Sequence, residues 1–164
     1  MRAFARALVA ALPIGLVAGA GCKEQEATNV RLNVVFPSTE MAIATEEVQF
    51  FVFDDPTPGA CQSIYLKRIT GQSDLPRVVA QSPPIPVCEL AFGRPPVVEL
   101  PFGKHAILAI ASRGKEDLLV GCSDVAISSE GGEVFVNVGL PGQTPVPPRS
   151  TCASFEDSCF NRCN

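Results

Sequence analysis

Residues 47–53 read EVQFFVF, and in this stretch Val48, Phe50 and Val52 occupy alternate positions. A period of two places alternate side chains on opposite faces of a β-strand. The opposite face includes two more phenylalanines, Phe51 and Phe53, as expected for a central strand that is covered on both faces. The stretch VRLNVVF at residues 30–36 alternates in the same way. Two strands are therefore predicted at the start of the folded part of the chain.

Further segments rich in β-branched and apolar residues follow, separated by turn residues such as Pro83–Pro84 and Gly131–Gly132. The additional predicted strands are residues 63–69, 77–80, 97–100, 105–112, 118–122, 125–128 and 133–140. No window of helical length shows a 3.6-residue period, and only residues 42–47 favour a turn of helix. We therefore predict an all-β domain over residues 30–140, an antiparallel sandwich of seven to nine strands.

The first 21 residues have the layout of an export signal. Arg2 and Arg6 provide a positive start, and the uncharged run ALVAALPIGLVA follows at residues 7–18. This run has the length of a signal-peptide core and is too short to span a bilayer as an ordinary helix. Residues 1–21 are therefore predicted to be removed.

The segment VAGAGC, residues 17–22, resembles the lipobox that lipoprotein signal peptidase recognises in bacteria. The resemblance implies that Cys22 becomes the first mature residue and carries acyl chains such as palmitate, which hold the protein at a membrane. Residues 22–29 then form a short polar tether. Lys23 after the cysteine, rather than aspartate, implies sorting to the outer membrane in that class. The alternative is an ordinary secretory signal that leaves Cys22 near a free end.

Charge limits the classes of partner. Without Arg2 and Arg6, 11 of the 13 basic residues remain against 17 acidic ones, which gives a net charge of −6 with the histidine neutral. A protein that binds nucleic acid by charge needs a basic face, so nucleic acid is not an expected partner. The same acidity gives no attraction to anionic lipid, and membrane attachment must then come from the anchor.

The cysteine count favours an oxidising compartment. Without Cys22, six of the seven cysteines remain: Cys61, Cys88, Cys122, Cys152, Cys159 and Cys163. An even number in an exported chain predicts three disulfides, with 15 pairings open. Three of these cysteines lie in the body of the domain and three in the last 13 residues. If all six are oxidised, at least one disulfide must join the tail to the body.

Residues 141–164 are predicted to be a Pro-rich linker followed by this disulfide-rich tail. The linker begins PGQTPVPPR, a composition typical of polyproline II. Ser154 stands three residues before Asp157, which is a weak N-capping pattern and allows a short helical turn in the tail.

A second resemblance covers residues 97–140. The turn Leu100-Pro101-Phe102-Gly103-Lys104, the apolar strand 105–112 and a closing strand after Gly131–Gly132 are similar to carboxypeptidase-regulatory-like, or transthyretin-like, domains. The resemblance implies a prealbumin-like, Ig-like sandwich in the cell envelope. It implies no activity.

Catalytic and metal-binding patterns are weak. Any triad would have to use His105, the single histidine, which lies in a predicted strand, and the nearest elbow-like run, Gly71–Asp74, lacks the second glycine. Cys152, Cys159 and Cys163 lack the C-x-x-C spacing of zinc sites. We therefore predict no enzyme, no cofactor, no metal and no catalytic residue.

Because catalytic and metal-binding patterns are weak, we expect the protein to bind a partner. The longest irregular stretch, residues 71–96, is rich in proline, which reduces the entropy that a loop loses on ordering. The leading hypothesis is a lipoprotein of the bacterial envelope with a structural or protein-interaction sandwich that meets other envelope proteins. The alternative is an accessory domain that binds a peptide or glycan through residues 71–96. Glycan binding has little support, because the chain has no Trp and only Tyr65 as tyrosine.

Overall fold

The computed structural model describes residues 26–54, 57–142, 152 and 154–162. The predicted signal peptide, Cys22, most of the tether, residues 143–150 and Cys163 lie outside these residues. The strands are β1 (Ala27–Val35), β2 (Glu47–Phe53), β3 (Val78–Gln81), β4 (Ile85–Pro86), β5 (Val97–Pro101), β6 (Gly103–Arg113), β7 (Glu116–Ile127) and β8 (Gly132–Asn137). The helices are α1 (Thr39–Ala44), α2 (Ala60–Ile69), α3 (Val87–Ala91) and α4 (Phe155–Cys159).

The larger of two sheets has the order β3-β2-β6-β7, and β4 also pairs with β2. All of its pairs are antiparallel, with Phe50 opposite Ala109 and Ala109 opposite Gly121. Strand β2 occupies the residues predicted for it and is central, as its phenylalanines on both faces indicated. The separate strands predicted at 118–122 and 125–128 form one continuous strand, β7.

The smaller sheet has the order β5-β1-β8 and is mixed. Strand β1 is antiparallel to β5 but parallel to β8, with Val30 opposite Gly132. The expectation of a purely antiparallel fold was therefore wrong for this pair. Parallel neighbours need a long connection between them, and here most of the domain lies between β1 and β8. Alternation within either strand carries no information about this direction.

Apolar side chains from both sheets form one core, which confirms a two-sheet, sandwich-like β fold. Val30 and Leu32 of β1 and Val136 of β8, all in the smaller sheet, form one cluster with Phe50 of β2 and Ile107 of β6 in the larger sheet, and all five are fully buried. At roughly 1.5–3 kcal/mol for burial of each large apolar side chain, this layer stabilises the fold more than any surface contact does.

The other face of the larger sheet is covered by α2, where the sequence predicted a strand at 63–69. This expectation was wrong: Ile64 packs with Phe53 and Leu108 in a second apolar cluster. Ile64 lies four residues after Ala60, so both fall on one helix face, and both are buried. No side chain next to the helix caps its start. Instead, the carboxylate of Asp124 on β7 accepts a hydrogen bond from the N–H of Cys61 at 3.1 Å.

The two sheets meet at the edge of β7. The N–H of Val120 donates to the carbonyl of Gly139 at 2.9 Å, and the N–H of Gly139 donates back at 3.0 Å. The approach requires glycine at position 121, because a Cβ there would overlap the carbonyl group of Asn137.

Candidate functional site

The stretch 71–96 was predicted to be irregular apart from a strand at 77–80. That strand is confirmed as β3 (Val78–Gln81), and β4 and α3 order more of the stretch than the sequence indicated. Strands β3 and β4 pair with the free edge of β2, and α3 follows at Val87–Ala91. The hydroxyl of the buried Ser82 accepts a hydrogen bond from the N–H of Phe50 at 3.0 Å, which fixes the turn between the two strands. The segment after α3, which begins with the exposed Phe92, is left at the surface.

A disulfide connects α3 to the tail. Cys88 of α3 bonds to Cys159 of α4, across 71 residues of sequence. The structure thus contains a bridge between tail and body, as the odd number of cysteines on each side required. Cys61 bonds to Cys122, and Cys152 is also disulfide-bonded. The prediction of disulfides is therefore confirmed, while the participation of Cys163 stays a prediction.

Helix α4 is a single turn that depends on local caps and on its neighbours. The hydroxyl of Ser154 accepts a hydrogen bond from the N–H of Asp157 at 3.0 Å and donates to its carboxylate at 2.7 Å. The ring of Phe155 lies against that of Phe36 at the end of β1, with centroids 6.4 Å apart. Since a helix of five residues is not stable alone, these contacts and the disulfide hold it.

The junction of α3 and α4 exposes two aromatic rings. Phe92 is 45% exposed and Phe160 is 51% exposed, and their centroids are 5.1 Å apart at an interplanar angle of 49°. The guanidinium carbon of Arg162 lies 4.6 Å from the centroid of Phe160. We call Phe92, Phe160 and Arg162 the aromatic patch.

The aromatic patch has the chemistry of a recognition surface. Exposed rings that a disulfide already orders lose little entropy on binding, and aromatic residues and arginine are common hot spots of interfaces. Sequence reasoning included Phe92 in a binding stretch but missed Phe160 and Arg162. The sequence did indicate a disulfide between tail and body. That disulfide shows that the tail contacts the body, but it does not show which residues of the body the tail contacts.

Apart from the aromatic patch, a concave region lies at the start of α2. An open groove of about 480 Å³ is bounded by α2 and β7. We call it the edge groove; its lining includes Gln62 and Tyr65 of α2, Cys122 and Asp124 of β7, and Asn137 and Gly139 of the closing segment. A smaller hollow of about 340 Å³ adjoins it and contains Lys104. The Cys61–Cys122 disulfide holds α2 against β7.

His105 lies inside the fold. It is 2% exposed, and its Nε2 lies 2.8 Å from the carbonyl oxygen of Pro101. Its position on β6 shares a face with Ile107, which points between the sheets. Its buried Nδ1 has no hydrogen-bond partner among the described residues. Ser73, which belongs to the elbow-like run Gly71–Asp74, lies in the exposed segment after α2.

Two carboxyl groups have shifted pKa values, and both lie outside the aromatic patch and the edge groove. A hydrogen bond from Lys67, followed by the charge of that ammonium, lowers the pKa of Asp74. A hydrogen bond from Ser38 lowers the pKa of Glu40. Both groups are fully exposed, so these shifts describe local pairing at the surface.

Neither a cluster of metal ligands nor a membrane-spanning helix is present among the described residues. In the part of the chain that the structure describes, no three His, Cys, Asp or Glu side chains cluster as metal ligands would. Nor is any helix among residues 26–54, 57–142 and 154–162 long and apolar enough to cross a membrane.

Comparison with known proteins gives a weak structural likeness. No protein-family model and no curated protein matches the chain. A crystal structure from Bacteroides thetaiotaomicron, of proteins proposed to bind polysaccharide, is similar at 10% identity with a TM-score of 0.41. The likeness covers 67% of this chain and 46% of that one, so this chain spans less than half of its length.

Proposed function

We propose that this protein is a non-catalytic lipoprotein of the bacterial envelope, anchored by lipid at Cys22, which presents the aromatic patch to another envelope protein. One observation carries the proposal: two phenylalanine rings 5.1 Å apart, each about half exposed, are fixed by the Cys88–Cys159 disulfide. Exposed, rigidly held aromatic side chains lower the solubility of a protein, and their main benefit is to binding.

The position of the aromatic patch along the fold supports this role. Strand β1 begins at Ala27, five residues after Cys22, so its start must lie within about 18 Å of an anchor at that cysteine. Helix α4 packs near Phe36, beyond the other end of β1. A strand of nine residues is about 30 Å long. In an anchored protein, α4 would therefore lie about 30 Å along β1 from the end that the anchor tethers.

The arrangement of the rings favours a protein partner over a glycan. Sugars stack on flat aromatic faces, whereas these two rings are tilted by 49°. Arg162 covers one face of Phe160. Tyr65, the single tyrosine, belongs to α2 rather than to this surface. Apolar side chains of a protein fit tilted, exposed rings more readily, and Arg162 adds a donor for a carboxylate.

We also propose that the fold is a sandwich of the prealbumin-like type. The turn Leu100–Lys104 joins β5 to β6, and the Gly131–Gly132 turn precedes β8. Both agree with the pattern of that family. If the proposal is right, the strand order of that family must also contain a parallel pair equivalent to β1 and β8.

The function is tested with the double variant Phe92→Ser/Phe160→Ser in living cells. We expect capture of the crosslinked partner to fall by at least about tenfold, since hot-spot residues carry most of the binding energy of an interface. The matched control is Phe135→Ser, because Phe135 is 54% exposed on a different surface. Capture by this control should equal that of the wild type.

Two results would contradict the proposal. One is equal capture by the double variant and the wild type at equal protein level. The other is binding of soluble envelope glycans, measured by calorimetry, that the double variant abolishes. The latter would favour the alternative role, an accessory domain that binds its ligand through residues 71–96.

A further inference from the structure

The outer edge of β7 can be identified from the hydrogen bonds of β2. Successive residues of a strand point their backbone N–H and C=O groups to opposite sides. Phe50 points toward β3, because its carbonyl accepts from the N–H of Ser82 at 3.0 Å. Phe51 must then bond to Leu108 of β6, and the next residue, Ala109, to Gly121 of β7.

It follows that Val120 and every second residue after it direct their backbone groups away from the sheet. Val120 bonds to Gly139 on that side, which agrees with the assignment. Within the described part of the chain, no group bonds to the outward N–H and C=O of Cys122, Asp124 or Ala126. Strand β7 therefore has a free edge with three outward-facing residues, Cys122, Asp124 and Ala126. This edge begins after the bridge between Val120 and Gly139.

The edge groove lies beside this free edge. Cys122 and Asp124 line it together with Gln62 and Tyr65 of α2. The Val120–Gly139 bridge shows that a chain beside β7 pairs with it in the antiparallel direction. The shape, the unpaired backbone groups and this direction are those of a site that accepts an added strand.

The charge of the edge groove selects the occupant. Of the described residues that line it, Asp124 alone is charged, and it is exposed. One of its oxygens accepts from Cys61, so the carboxylate keeps capacity for another donor. Pairing of two copies of this edge around Asp124 would place two carboxylates on neighbouring strands, which is unfavourable.

We propose that the edge groove binds an extended segment of another protein as an added antiparallel strand, with a basic side chain beside Asp124. This site is separate from the aromatic patch, so either can fail alone. The main-chain bonds of Cys122, Asp124 and Ala126 supply the affinity. Asp124, Gln62 and Tyr65 supply the preference for side chains.

The probe is the blocked peptide acetyl-Thr-Val-Lys-Val-Thr-amide, added to the purified, disulfide-bonded protein. We expect hydrogen exchange to slow at the amides of Cys122, Asp124 and Ala126. Exchange at Gly121 and Ser123 should stay unchanged, because those amides already bond to β6. A peptide with glutamate in place of lysine should bind about tenfold more weakly. A peptide with methylated backbone nitrogens should not bind.

A variant pair tests the same site from the side of the protein. Ala126→Pro removes an outward N–H that has no partner in the free protein, so an edge position tolerates it. We expect it to weaken binding of the probe by about tenfold. The control Ala126→Ser keeps the N–H and should bind as the wild type does. If the proline variant fails to fold, the methylated peptide still decides the question.

Three results would overturn the proposal. The first is equal binding of the methylated and unmethylated peptides. The second is protection that does not alternate along β7. The third is a concentration-dependent dimer, seen by sedimentation, with the same three amides protected in the absence of peptide, which would assign the edge to a second copy of the chain.

Discussion

Single residues decide how closely the two sheets approach each other. Gly121 is buried in β7 directly against the carbonyl group of Asn137, and a Cβ has no room there. Backbone atoms, unlike the end of a flexible side chain, cannot move aside without shifting a strand. The contact between the two sheets at this corner therefore depends on the absence of a Cβ atom at position 121.

Replacement of this residue gives a direct test. We expect Gly121→Ala to lower the free energy of unfolding by about 1–3 kcal/mol, the usual cost of forcing an extra methyl group into a packed site. Urea unfolding measures the change. The control Gly139→Ala has no atom within 4 Å of the new Cβ. Its stability should stay within about 1 kcal/mol of the wild type. Equal effects of both substitutions would refute the steric explanation.

Asp124 shows why residue-level reasoning reached only part of the candidate sites. The sequence places Asp124 in a strand, and nothing near Cys61 indicates that this carboxylate caps α2 from 63 residues away. The aromatic patch has the same origin, because Phe92 and Phe160 lie beside a disulfide that joins residues 71 positions apart. Local patterns cannot reveal such contacts.

At the scale of elements, success followed the strength of the local pattern. Strand β2 was predicted at its observed bounds because its alternation is strong and polar turns flank it. Helix α2 was predicted as a strand because Ile64, Tyr65 and Ile69 are residue types that favour strands. Its buried face is narrow, consisting of Ala60, Cys61 and Ile64. Tertiary packing on β6 and β7 overrides that preference.

The tail is the element most dependent on a single bond. We expect the double variant Cys88→Ala/Cys159→Ala to release α4, because the helix has five residues and its disulfide is gone. The loss of the cross-link should also lower the free energy of unfolding by about 2–4 kcal/mol. Hydrogen exchange of residues 155–160 reports the release, which should be nearly complete.

The matched control for this experiment is Cys61→Ala/Cys122→Ala. This variant removes a disulfide of similar span elsewhere, between α2 and β7, so α4 should remain protected. If α4 stayed protected in both variants, the caps at Ser154 and the Phe36–Phe155 contact would be sufficient to hold it, and the disulfide would not be required.

At the scale of the whole molecule, the main prediction concerns the anchor. We expect intact mass spectrometry to find a chain that begins at Cys22 and carries acyl groups. Cys22→Ser should remove the protein from the membrane fraction, because two or more acyl chains are needed for stable attachment. Lys23→Asp should stay lipidated but leave the outer membrane. A wild-type chain that keeps residues 1–21, or one without lipid, would contradict the prediction.

Whole-molecule topology was the least predictable level. Alternation, together with enrichment in β-branched and apolar residues between turns, identified strands β1, β2, β3, β5, β6 and β8. The count of cysteines required a link from tail to body. The partner of each strand depends on which apolar faces meet in space, which no single segment encodes. The parallel pair of β1 and β8 is the clearest case.

That pair also determines the order in which the chain can acquire its structure. Arg31 and Glu133, which form a salt bridge across it, are 102 residues apart. Strand β1 is synthesised first but stays without either neighbour until β5, and then β8, have been made. Such non-local pairing slows folding to milliseconds or seconds. During that time an unpaired apolar strand is exposed to aggregation, so a holding chaperone that shields residues 27–35 should raise the yield of native protein.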